Sequence, residues 1–207
     1  MFTGIVQGKG HVVSIETGNE ITTFHIQLPS TEGLAIGASV AIDGVCLTAT
    51  DFSEEVVSFD VIPETLEKTT LGQLTKDSEV NVERSLRYGD EVGGHLLSGH
   101  IIGRGLIKKA SEVGDGAQYT ILPPPDVRKY IVTKGYVGID GISLTIGDVH
   151  DDGFDLHLIP ETLRLTTIGE KVVGDAVNLE IDSTTMMIVE TVERMMKEEQ
   201  KLSLIHI

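Results

Sequence analysis

The amino-acid sequence predicts a mainly β protein made of two copies of one antiparallel unit, barrel or sandwich, with an α-helix appended. Three observations carry this. First, DGVCLT at Asp43–Thr48 returns as DGISLT at Asp140–Thr145, and IPETLEKTTLG from Ile62 returns as IPETLRLTTIG from Ile159. VNVE and VNLE, around Asn81 and Asn178, keep the same spacing of 97 residues, so no insertion separates the motifs and each half is one folding unit. Second, short β-branched runs alternate with glycine-rich turns and leave little room for helix. Third, the hydrophobic period changes after Asp182.

Taken in order, FTGIVQGKGHVVSIE supplies two short strands or one bent strand through Ile5, Val6, Val12, Val13 and Ile15. ITTFHIQLP alternates as a strand closed by Pro29. SVAIDGVCLTATDF is a hairpin, because Asp43-Gly44 accepts the positive φ angles of a tight turn. VVSFDVI is the next strand. PETLEKTTLG is one or two helical turns, started by Pro63 and stopped by Gly72, and SEVNVERSL closes the copy. The second copy repeats the order, with Ser98-Gly99 answering Thr3-Gly4. From Asp182, Ile188, Val192, Met195 and Met196 recur at helical spacing behind capping residues Asp182, Ser183 and Thr184. That stripe needs a partner: a second copy of the chain is the economical one, and its own barrel is the other. The expected division is 1–94, 95–183, an oligomerisation helix at 184–201, and a non-native tail at 202–207, where LSLIHI abandons the charged pattern before it.

A formal charge of −16 and a pI near 4.7 repel phosphate backbones and anionic membranes, which argues against nucleic-acid binding and for a small neutral ligand. The single cysteine, Cys46, excludes an internal disulfide and fits a reducing cytoplasm. No leader-like start or membrane-spanning run is present. HExxH, CxxC, Walker and GxSxG motifs are absent. His95 and His100 are five apart, which suits neither one helix face nor one strand face, so no metal is expected. A flavin-reductase barrel would need a nicotinamide-binding βαβ segment, which is also absent.

FTGIV, GVCLT, EVGGHLLSGHI, KGYVGIDGISLT and LIPETL together resemble the riboflavin synthase α-chain family, over the chain up to Lys201. The resemblance implies two six-stranded antiparallel Greek-key barrels and a homotrimer held by the C-terminal helix. It also implies one 6,7-dimethyl-8-ribityllumazine site per barrel, completed by a neighbouring subunit, and dismutation by four-carbon transfer without a cofactor. Lumazine-binding antenna proteins share the double barrel without turnover and are the alternative.

By that resemblance Gly4, Ile5 and Val6 with Cys46, Leu47 and Thr48 form one pocket, and Gly99, His100 and Ile101 with Ser143, Leu144 and Thr145 form the other. Extended backbone there matches the alternating carbonyl and ring-nitrogen groups of a pyrimidinedione edge. The ribityl chain falls to Asp60, Val61, Ile62, Pro63, Glu64 and Thr65 in the first copy. In the second it falls to His157, Leu158, Ile159, Pro160, Glu161 and Thr162, with Lys134 near the shared site. The substrate's C7 methyl must lose a proton, and His100 is the best base or shuttle. Ser39, Cys46, Thr48, Ser143, Thr145 and Asp182 are candidate polar partners. Cys46 reads either as a nucleophile or as a small packed thiol. Asp43 and Asp140 read as turn formers, and Glu64 and Glu161 as either ligand contacts or first-turn helix residues. Cys46 against Ser143, and Ile5 against His100, mark the copies as donor and acceptor sites.

Overall fold

Alternation of apolar and polar residues sets the inward faces. In β2 (Thr22–Gln27), Thr22, Phe24 and Ile26 are buried while Gln27 is exposed, and in β5 (Val56–Val61), Val57, Phe59 and Val61 point the same way. With β1 (Gly8–Thr17), β3 (Ser39–Ile42), β4 (Val45–Ser53) and β6 (Glu79–Arg84), these strands close an antiparallel barrel in the order β1-β2-β5-β4-β3-β6. Strand β6 returns beside β3, which is a Greek-key connection and leaves no free sheet edge. The computed structural model describes residues 1–205, with side-chain surroundings through residue 199.

The second copy repeats this with β7 (Gly103–Val113), β8 (Gly116–Leu122), β9 (Tyr136–Ile139), β10 (Ile142–Val149), β11 (Phe154–Leu158) and β12 (Ala176–Ile181). Its closed order, β10-β11-β8-β7-β12-β9, is the first barrel's order transposed. Each barrel has its own core, centred on Phe24, Ile26 and Phe59 in one and on Ile121, Ile139 and Phe154 in the other.

Local departures from the sequence reading have identifiable causes. Residues before Gly8 form no strand; Phe2 makes only an isolated bridge to Leu97, and β1 is a single strand with an irregularity between Val12 and Ser14. The helices α1 (Pro63–Lys68) and α2 (Pro160–Leu165) stop before the expected glycines. Thr69 and Thr166 turn extended there and donate their hydroxyls to the carbonyls of Thr65 and Thr162, at 2.6 and 2.7 Å, which ends the helix in a way a β-branched residue favours.

The duplicated DG turns are the seam between the barrels. Gly44 and Gly141 sit back to back, and a Cβ on Gly44 would lie 2.6 Å from the Gly141 nitrogen. Asp43 and Asp140 are buried at positive φ, and each carboxylate accepts the backbone N–H of Asn81 or Asn178 at 2.7 Å. The asparagine side chains then cross over. Asn81 Nδ2 donates to the Asp140 carbonyl and Asn178 Nδ2 to the Asp43 carbonyl, both at 2.9 Å, while their Oδ1 atoms accept from Thr167 and Thr70 N–H at 2.8 Å. The turn-former reading of the two aspartates thus describes half of what they do.

Helix α3 (Ser183–Ile205) is N-capped by Asp182, whose Oδ2 accepts from Thr185 N at 2.8 Å. Its first turns dock on the second barrel through Met186 and Val189, with Lys129 held at 2.7 Å from both Glu190 and Glu193. Further along, Ile188, Val192, Met195 and Met196 stay more than half exposed or close to it. The helical backbone runs into the segment Leu202–Ile207 set aside as a tail; His206 and Ile207 lie outside the described residues.

Candidate functional site

The two segments that resemble ligand-binding strands reach across the seam. Thr3 and Gly4 hang from their own barrel, with Thr3 N and Gly4 N donating to the Glu83 carboxylate at 2.6 and 3.0 Å. Ser98 and Gly99 hang in the same way from Glu180, at 2.6 and 3.1 Å. Burial raises the pKa of both glutamates, and these same N–H bonds oppose the shift. From there the chain crosses over: the Gly4 carbonyl accepts from Ser143 N at 2.8 Å in the second barrel, and the Gly99 carbonyl accepts from Cys46 N at 3.0 Å in the first.

The segments are thus grouped otherwise than expected. Gly4, Ile5 and Val6 lie with Ser143, Leu144 and Thr145, and Gly99, His100 and Ile101 lie with Cys46, Leu47 and Thr48. The side chains agree, since Val6 packs on the second core and Ile101 on the first. The cause is backbone geometry: Gly4 and Gly99 have φ of 74° and 82°, which turns each segment toward the opposite barrel. A Cβ on either would fall 2.5 Å from Ser143 Cβ or 2.4 Å from Cys46 Cβ, so only glycine fits.

The remaining expected residues distribute over two half-sites. On the first barrel, Ser39 pairs across the sheet with Thr48, so Ser39, Cys46 and Thr48 share the β3–β4 ribbon that receives Gly99 and the exposed His100. Asp60 and Ile62–Glu64 are exposed at the end of β5 and the start of α1, with Val61 pointing into the core and Thr65 half-buried. On the second barrel, Ser143 and Thr145 of β10 face Gly4 and the exposed Ile5, while His157, Ile159, Pro160 and Glu161 are exposed, Leu158 is core and Thr162 is half-buried. Glu64 and Glu161 lie in the first turns of α1 and α2 and make no capping hydrogen bond. They pair along the helix with Lys68 at 2.6 Å and Arg164 at 2.7 Å, which lowers the pKa of both carboxyls. Asp182 is half-buried at the head of α3 and already spends one oxygen on its cap.

Three residues that the sequence reading passed over belong here. Glu83 and Glu180 position both crossing segments. His95, set aside as half of a metal pair, is buried, stacks on Tyr136 at 5.1 Å, and places Nδ1 2.6 Å from Ser143 Oγ. Burial lowers its pKa, against a smaller opposing pull from Asp182, so the imidazole is neutral at neutral pH. The recurrence of VNVE and VNLE was the available signal for the glutamates; nothing in the sequence pointed to the stack.

Lys134 is exposed at φ 66°, while the equivalent residue of the first copy is Gly37 at φ 87°. Holding a lysine in the left-handed region costs about 1–2 kcal/mol. Lys134→Gly should therefore stabilise the chain by about 1 kcal/mol, read as a higher urea midpoint. If it weakens ligand binding as well, the lysine serves the site.

Residues 3–85 and 98–182 each match the lumazine binding domain family. Riboflavin synthase of Escherichia coli (strain K12) is 47% identical over 199 residues, covering 95% of this chain and 93% of that protein. The enzyme of Chlamydia pneumoniae is 44% identical, covering 97% of this chain and 100% of its own length, and that of Bacillus subtilis (strain 168) is 37% identical, covering 88% and 85%. Among solved structures, LumP complexed with 6,7-dimethyl-8-(1'-D-ribityl) lumazine superposes with a TM-score of 0.80 at 28% identity, and LumP complexed with riboflavin with 0.81 at 30%. Each covers 88% of this chain and 100% of LumP. The chain belongs to the lumazine binding domain family and carries two copies of the domain.

Proposed function

We propose that the chain is a riboflavin synthase: it takes two molecules of 6,7-dimethyl-8-ribityllumazine and releases riboflavin and 5-amino-6-ribitylamino-pyrimidinedione. The observation that carries this is that both copies keep the whole ligand-facing apparatus, namely a crossing glycine segment, the strand that receives it, and an IPETL helix start. An antenna protein needs one working site; a dismutase of two identical substrates needs two. The relatives named as riboflavin synthase, at 37–47% identity, favour the enzyme over LumP's ligand-binding role.

The reaction moves a four-carbon unit between two identical molecules and balances without an added oxidant or reductant. The chain's task is to bind, orient and move protons. Backbone N–H and C=O groups beside Gly4 and Gly99 register the pyrimidinedione edges. His100, exposed and next in the chain to the Gly99 carbonyl that pairs with Cys46, takes the proton from a C7 methyl, and neutral His95 holds the Ser143 hydroxyl in one orientation. Orientation carries most of the barrier reduction, since aligning two reactants is worth about 7–11 kcal/mol in favourable systems.

The two half-sites lie on different barrels of one chain, so a second copy brings a first-barrel site against a second-barrel site. The uncovered apolar stripe of α3 fits such an assembly, and a homotrimer is the state we propose. No helix among the described residues is long and apolar enough to cross a membrane, and a cytoplasmic location belongs to the same proposal. With the lumazine as sole substrate, riboflavin should appear and two ligands should bind per chain. One tightly held ligand without product would replace the enzyme by the antenna.

A further inference from the structure

The two barrels dock face to face at a buried group of charges that the reaction does not use. Asp43 and Asp140, 4% and 0% exposed, approach from the paired DG turns. One ammonium reaches this group: Lys171 Nζ lies 2.9 Å from Asp140 Oδ2, the only polar contact that this oxygen makes among the described residues, and donates to the Ala176 carbonyl at 2.8 Å. Lys171 follows the turn Thr167–Glu170, and its counterpart in the first copy is the uncharged Leu74, so the paired DG turns meet one lysine and not two.

A cavity of about 210 Å³ opens on Asp43 and Lys171, and Glu79 and Asp175 also line it. At its rim Lys9 of the first barrel pairs with Glu79 at 2.8 Å and with Glu170 across the seam. The other charged residues that line this cavity, Glu79 and Asp175, are acidic, and Lys9 is already paired. Asp43 Oδ1 accepts from Asn81 N–H, which fixes the carboxyl but neutralises nothing.

We propose that Asp43, Asp140 and Lys171 form a proton-binding latch between the barrels, which makes their docking tighter when the seam carries one proton and looser when it carries none. Two anions beside one cation in a buried site leave a net negative charge that water cannot screen well. A proton on Asp43 removes it. Burial, followed by the Asp140 charge, raises the Asp43 carboxyl from its ordinary 3.8 to about 7, against the pull of Lys171. The sign follows from linkage: between these values the folded chain holds a proton that the unfolded chain has released, so stability falls as pH rises from about 4 to about 7.

The test compares urea unfolding of the full chain, its Asp43→Asn variant and its Lys171→Met variant from pH 5 to 9. Asparagine keeps the acceptor for Asn81 but cannot ionise. D43N should lose less stability than the parent as pH rises, and should exceed it above pH 7, where the parent's seam is deprotonated. K171M should move the parent's decline to higher pH, because the remaining carboxylates lose their cation. Parallel profiles for the parent and D43N would overturn the latch, as would an unmoved decline in K171M. Should a variant fail to fold, carboxyl carbon NMR of the unaltered chain decides: an aspartate titrating near neutrality supports the latch, and aspartates that all titrate below about pH 5 remove it.

Discussion

Phe2→Ala should cost about 3–5 kcal/mol of stability and lower riboflavin release by at least a hundredfold. The side chain is 1% exposed and packs with Ala41, Leu97 and Cys46 in a small cluster separate from either barrel core. Truncating a buried phenylalanine removes that burial and leaves a cavity. The backbone of Phe2 also exchanges hydrogen bonds with Leu97, N to O at 2.8 Å and O from N at 3.0 Å, so the two crossing segments are pinned to each other. Loosening one end releases both Gly4 and Gly99 from register, and a misplacement of about 1 Å in a site built on alignment costs about a hundredfold. Urea unfolding and a fluorescence assay of riboflavin measure the two effects. A variant that unfolds normally and turns over at the parent's rate would mean that the bridge does not set the sites.

Gly99→Ala and Gly4→Ala should each abolish turnover, but by damaging different barrels. Alanine at Gly99 puts a methyl 2.4 Å from Cys46 Cβ at a φ that costs about 1–2 kcal/mol, so the β4 site must shift. At Gly4 the same change collides with Ser143, on β10. Alkylation of Cys46 therefore discriminates: its rate should change several-fold in G99A and stay near the parent's in G4A, and each variant should bind one lumazine per chain. The opposite pattern of thiol reactivity would restore the uncrossed pockets.

The architecture was largely legible because repetition and alternation are local signals. DGxxLT, IPETL and VNxE could be aligned without gaps, and each strand showed its inward face in its own residues. The crossing was not legible, for a physical reason. GVCLT and GISLT present nearly the same edge to an incoming peptide, so nothing in FTGIV or LSGHI says which of the two it meets. That is decided by a three-dimensional fact, the direction in which Gly4 and Gly99 turn. The role of Glu83 and Glu180 was hidden likewise, since a glutamate near the end of a strand ordinarily faces water and here each receives two N–H groups from one crossing segment. His95 was passed over because its spacing from His100 spoke only to a metal, while its partners are a tyrosine ring and a hydroxyl from other strands.

The paired asparagines of the seam have a consequence for modularity. Each barrel supplies the other with an amide that satisfies a buried turn, and receives one in exchange. A half grafted onto a foreign domain would carry an aspartate carbonyl and a threonine N–H with no amide to meet them. A half with one residue inserted between its DG turn and its asparagine would present that amide out of step. The two parts are interlocking pieces, and each leaves the other's buried turn unsatisfied when it is removed.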